Sequence, residues 1–172
     1  MKKLVLGVVL AAILATGTAA ADSPVHPDGL GIGILWGSSF GGYGYGGNIA
    51  LSLKVPSMPI FWGITARIQE HWTAIGVQGD VYIMGSYFVG DILGWFLGIG
   101  GYGNFGFGNN NAAIGLGVRL PIGLTFQPIP LLEIFANITP QIGLAIWTGG
   151  DGGIDFPHGG LFGFEIGLRL WF

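Results

Sequence analysis

Ser38, Ser39, His71, His158, Asp151 and Asp155 are the residue types from which a hydrolytic triad is built. A triad needs a nucleophile whose hydroxyl is presented to a base, and the base oriented by an acid. No Gly-x-Ser-x-Gly surrounds either serine, so nothing in the spacing marks a nucleophile. His26, His71 and His158 are the only histidines; they form no His-x-His, and the chain has no Cys. A weak metal site from two histidines with Asp151 and Asp155 is less expected than solvated loop residues. The reading is therefore no catalytic residue, no metal and no cofactor.

A second set carries more information. Lys54, Arg67, Arg119 and Arg169 stand against Asp80, Glu133 and Glu165, four positive charges against three negative. Each falls on one parity of an alternating apolar pattern, opposite the aliphatic row. A charge facing lipid at mid-depth costs about 2–4 kcal/mol, and this placement avoids that cost. The chemistry expected of such a set is ion pairing and hydrogen bonding inside a narrow, low-dielectric space.

The elements that would position these groups follow from period-2 alternation. Eight strands are expected, over residues 30–36, 49–55, 60–68, 75–83, 95–107, 114–126, 132–146 and 162–172. The last is the clearest: Phe162, Phe164, Ile166, Leu168, Leu170 and Phe172 alternate with Gly163, Glu165, Gly167, Arg169 and Trp171. Pro-bearing turns at 55–59 and 127–130, with 85–91, fall at one end. Gly-, Asn- and Asp-rich loops at 38–47, 109–111 and 148–160, with Glu70-His71-Trp72, fall at the other. Outward aromatics collect near both ends: Trp36, Phe105, Phe107, Trp147 and Phe162 at one, Trp62, Trp95, Phe126 and Phe172 at the other. Two such girdles suit two lipid–water interfaces.

Composition narrows the class. Charged residues make up 9% of the chain, against about 25% in a soluble domain. Yet residues 92–118, the longest uncharged stretch, hold nine Gly, and each mid-helix Gly costs about 1 kcal/mol relative to Ala. An apolar, Gly-rich chain that cannot form a membrane helix has one way to pair its backbone in lipid, which is to close its strands into a barrel. Lys2 and Lys3, the apolar run 4–15 and Ala19-Ala20-Ala21 have the order of a secretory signal peptide. The expected organisation is a signal peptide over 1–21, a short N-terminal segment over 22–28 and an eight-stranded antiparallel up-and-down transmembrane barrel over 29–172. Residues 22–172 keep four basic and nine acidic residues, a net −5 with His neutral. That balance excludes nucleic acid as a partner, which needs a basic stripe.

With its terminal Phe172 and alternating strands, the region 28–172 resembles the small bacterial outer-membrane barrels of the OmpX, OmpW and OmpA-transmembrane type. The stretch 115–146, with Val-Arg-Leu-Pro-Ile-Gly-Leu and Leu-Glu-Ile-Phe, is similar to a spirochaetal outer-membrane barrel family of Borrelia and Treponema. The resemblance implies a place in the bacterial outer membrane, with lipid as a partner. It also implies recognition by the outer-membrane assembly machinery through the strand ending at Phe172.

An eight-stranded barrel has room only for side chains, so the charged set is read as a network filling the lumen. The function expected is structural, or surface interaction through outer loops such as the Tyr-bearing 41–47, with an extracellular or host ligand as partner. The alternative is a narrow channel or small hydrophobic-solute transporter. Inward Gly98, Gly100, Gly115, Gly117, Gly123, Gly143, Gly163 and Gly167 would favour it by leaving a water-filled gap. An outer-membrane enzyme ranks third.

Overall fold

The computed structural model describes residues 29–37, 48–108, 110–149, 152–158 and 161–172. The expected signal peptide and N-terminal segment lie outside these residues, as does the expected loop 38–47. Ten strands fill the described chain: β1 (Gly31–Gly37), β2 (Asn48–Lys54), β3 (Ile60–Gln69), β4 (Trp72–Val89), β5 (Leu93–Gly108), β6 (Asn111–Arg119), β7 (Ile122–Ile129), β8 (Leu132–Thr148), β9 (Gly153–His158) and β10 (Phe162–Trp171). Every pairing is antiparallel, as short connections between sequential strands require.

The ten strands occupy eight positions of a ring. Between β6 and β7 the register does not change: Arg119 pairs with Gln141 and Ile122 with Ile138, at one offset. Pro121 has no N–H to give β5, and Pro140 of β8, opposite Leu120, has none to return to it, so two missing donors divide one long strand in two. The carbonyls of Pro121 and Pro140 still accept from Gly98 and Leu120 at 2.8 and 2.9 Å. β9 pairs with the far end of β8, beyond the stretch of β8 that β10 covers. Because β10 pairs with both β1 and β8, the sheet closes on itself.

The closure is staggered. From Trp171 the register leads through Gly31, Lys54, Phe61, Asp80, Gly100, Arg119 and Gln141. It returns to β10 at Leu161, whose carbonyl accepts from Gln141 N at 2.9 Å. The circuit ends ten residues before it began. Eight positions with this stagger imply strands tilted about 40° and a backbone radius of about 8 Å, from the usual strand spacing and rise.

The two faces differ as the alternation predicts. Along β8 the burial runs strictly in twos, with Glu133, Phe135, Asn137, Thr139, Gln141, Gly143 and Ala145 inside. Three local differences from expectation stand out. β4 runs on to Val89, through residues 85–89 expected as a turn, because it pairs with β5 down to Leu93 past two bulges. The predicted loop 148–160 contains β9. Val81, expected on the outer row, is buried.

Candidate functional site

The ring turns one side chain in two inward, and six of the seven predicted charges meet there. Lys54 on β2, Asp80 on β4, Arg119 on β6, Glu133 on β8, and Glu165 and Arg169 on β10 are all buried, none more than 7% exposed. Arg67 holds a place in β3 opposite Ala74, and its side chain lies outside the described residues.

Arg119 is the centre of one cluster. Its Nη2 donates to Glu165 Oε2 at 2.8 Å and lies 3.5 Å from Thr139 Oγ1, and its Nη1 donates to Gln78 Oε1. Glu165 accepts in addition from Gln78 Nε2 at 2.9 Å and Asn137 Nδ2 at 3.0 Å. Thr139 Oγ1 donates onward to Asn137 Oδ1 at 2.7 Å. Arg119 Nε also lies 3.0 Å from Asp80 Oδ1. The angles of that contact miss those of a hydrogen bond, so charge alone holds the pair.

Arg169 and Glu133 make the second cluster, nearer the end where the chain enters β1. Arg169 Nη1 donates to Glu133 Oε2 at 2.7 Å and Nε to Ser52 Oγ at 3.1 Å. Trp171 Nε1 donates to the same Glu133 oxygen at 2.9 Å, and Thr125 Oγ1 to the other oxygen at 2.9 Å. The guanidinium lies 4.8 Å from the Phe61 ring centre and 4.4 Å from that of Phe135, within range of cation–π attraction. Phe61, Tyr82 and Phe96 stack in a row at 4.2 and 4.3 Å. Lys54 Nζ donates to Val55 O at 3.2 Å and lies 5.8 Å from the centre of the Phe61 ring.

Charged and aromatic side chains lie in the space that six of the inward glycines leave. Tyr102 lies against both Gly117 and Gly143, Phe96 against Gly123, Phe135 against Gly167, and Tyr82 with Pro121 against Gly98. Gly100 is covered by Asp80. These six glycines, of the eight expected to leave a gap, are slots for neighbouring side chains. Such pairing of a large ring with a glycine on the adjacent strand also pins register.

Of the aromatic girdle, Trp36, Phe105, Phe107, Phe126, Phe162 and Phe172 are exposed, and Trp62 and Trp95 half-buried, all on the outer parity. Trp147 is not on the outer face. It shares the inner parity of Ala145 and Gln141, opposite Ala113, and its ring lies 6.4 Å from that of Trp72 across Gly106. It belongs to the mouth of the interior. His71 is exposed, 3.9 Å from Glu70, and Asp155 is exposed on β9. Ser38, Ser39, His26 and Asp151, and the His158 side chain, lie outside the described residues. Gln78, Ser52, Thr125, Asn137, Thr139 and Tyr102 were not singled out in the sequence, although all share the parity of the charges that were.

No curated protein and no solved structure matches the chain. A family model described as "Protein of unknown function (DUF3996)" matches residues 41–169, three-quarters of the chain and the whole span from Lys54 to Arg169. The chain belongs to that family, DUF3996.

Proposed function

We propose that this chain is an integral outer-membrane β-barrel protein with a closed, charge-networked lumen. It serves as a structural or surface-interaction protein through the segments that join its strands at the outer end. One observation carries this reading: the molecule is inside out. Among the described residues thirty-nine large apolar side chains are exposed, while Arg119, Arg169, Glu133 and Glu165 are among the most buried. Monomeric soluble proteins rarely expose contiguous apolar patches of more than a few hundred Å². A ring whose outer rows are Ile, Leu and Val needs acyl chains around it. Closure supports the same reading, since strands paired around a ring satisfy one another's backbone groups where lipid cannot.

The outer membrane is favoured over other bilayers by the signal-like order of residues 2–21, which suits export. The strand ending in Trp171-Phe172 is proposed as the part met by the assembly machinery. The closed-lumen part of the proposal rests on the two hydrogen-bonded clusters and the filled glycine slots.

The test is refolding of the full chain into detergent or vesicles, followed by circular dichroism and electrophoresis without boiling. A β-rich spectrum and a compact band that shifts on heating are expected. Helical dichroism would remove the membrane-barrel reading. Discrete, stable openings of the wild-type protein in a planar bilayer would replace the closed lumen with a channel.

A further inference from the structure

Among the described residues no Lys or Arg side chain reaches the surface: Lys54, Arg119 and Arg169 are all buried. They share the interior with Asp80, Glu133 and Glu165, so the described interior side chains carry three basic groups and three acidic ones. Among the described residues the exposed carboxylates are Glu70 in the β3–β4 turn, Asp91 in the β4–β5 turn and Asp155 in β9. Elsewhere in residues 22–172 the sequence adds Asp22, Asp28 and Asp151, against Arg67 alone. The net −5 of this region therefore belongs entirely to residues outside the interior clusters.

Glu70 and Asp155 stand at one end of the ring and Asp91 at the other, and each of these three adjoins apolar side chains that face outward. Glu70 lies two residues from Ile68, which is 82% exposed; Asp91 precedes the exposed Ile92; Asp155 sits between Ile154 and Phe156, 74% and 66% exposed. If those apolar side chains meet acyl chains, the carboxylates lie at headgroup level, inside a Debye length of about 10 Å at 0.1 M salt. Basic collars are what anionic leaflets attract. This protein has collars of the opposite sign.

Building on the membrane reading above, we propose that the collars fit a bilayer with zwitterionic or uncharged headgroups, and that an anionic leaflet opposes insertion. A surface potential of about −30 mV changes the local concentration of a unit charge about threefold. Several acids entering together multiply that factor.

The test compares folding rates of the full chain carrying Lys2→Gln and Lys3→Gln, which removes the two basic residues of the expected signal peptide. The urea-unfolded chain is diluted into vesicles of phosphatidylcholine, alone or mixed with phosphatidylglycerol, and the heat-shifted band is followed on unboiled gels. At low salt the rate is expected to fall at least about threefold in the anionic vesicles. The difference should vanish near 1 M NaCl, where the Debye length is about 3 Å. It should also shrink in the triple variant Glu70→Gln, Asp91→Asn, Asp155→Asn. Equal or faster folding in anionic vesicles overturns the inference, as does a slowing that neither salt nor the triple variant relieves. Failure to fold in phosphatidylcholine alone overturns the membrane reading instead.

Discussion

Asp80 and Arg119 meet at 3.0 Å although the strands that carry them, β4 and β6, are not neighbours. Gly100 of β5 lies between them, opposite both in the register. A Cβ on Gly100 would fall on the Asp80 carboxylate and on the β4 backbone at Gly79. The pair forms through the space that the missing side chain leaves, and its partners are then held by the Glu165 and Gln78 contacts around the same guanidinium.

Gly100→Ala should therefore cost about 2–4 kcal/mol, as overpacking joined to disturbance of a buried ion pair. Gly103→Ala is the control. It lies on the other parity of β5, where a Cβ would meet only Leu116 Cδ2, at an ordinary 3.4 Å. Denaturant midpoints of the two variants folded in vesicles measure the difference. Equal effects would show that Gly100 is no special slot.

The Arg169–Glu133 pair, at 2.7 Å and nearly without exposure on either side chain, supports a double-mutant cycle. Arg169→Met or Glu133→Gln alone leaves a buried group without its partner and should cost about 3–5 kcal/mol. The double variant should cost less than the two losses added, by about 1–3 kcal/mol. Strict additivity would mean that the two residues stabilise the fold separately, through Ser52 and Trp171.

Period-2 alternation made the strands and the inner face legible, because one buried and one lipid-compatible face leave a strand no other register. Partners inside the ring were not legible. Arg119 and Glu165 are 46 residues apart, and Arg169 and Ser52 are 117 apart. Which inward groups meet depends on the ten-residue stagger of the closure, which no single strand encodes. Trp147 was misplaced because it ends its strand, where an aromatic residue suits a girdle as well as a mouth. Parity from Gln141 onward would have put it inside. The break in the long strand 114–126 needs Pro140 as well as Pro121, and only the register sets Pro140 opposite Leu120.

The outer face makes a separate prediction. Ile34 is 55% exposed and flanked by Leu51 and Leu168, outward residues of β2 and β10. Ile34→Arg should lower the stability of the vesicle-folded protein by about 2–4 kcal/mol, the depth-dependent cost of a cation near the bilayer midplane. Ile34→Ser should cost less. An arginine tolerated as well as serine would mean that this row does not face acyl chains.

Tyr102 tests what seals the interior. Its ring is buried against Gly117 of β6 and Gly143 of β8, so one side chain from β5 spans two neighbouring strands. With a backbone radius of about 8 Å, inward side chains leave little free cross-section, and removing one large ring widens it. Tyr102→Ala should destabilise the protein by about 3–5 kcal/mol, as aromatic truncations in packed interiors do. It should also give discrete openings in a planar bilayer where the wild-type protein is silent. Tyr102→Phe keeps the ring and should stay silent. If Tyr102→Ala folds and is also silent, the seal lies in the Arg119 and Arg169 clusters alone, and the glycine slots serve register without closing the lumen.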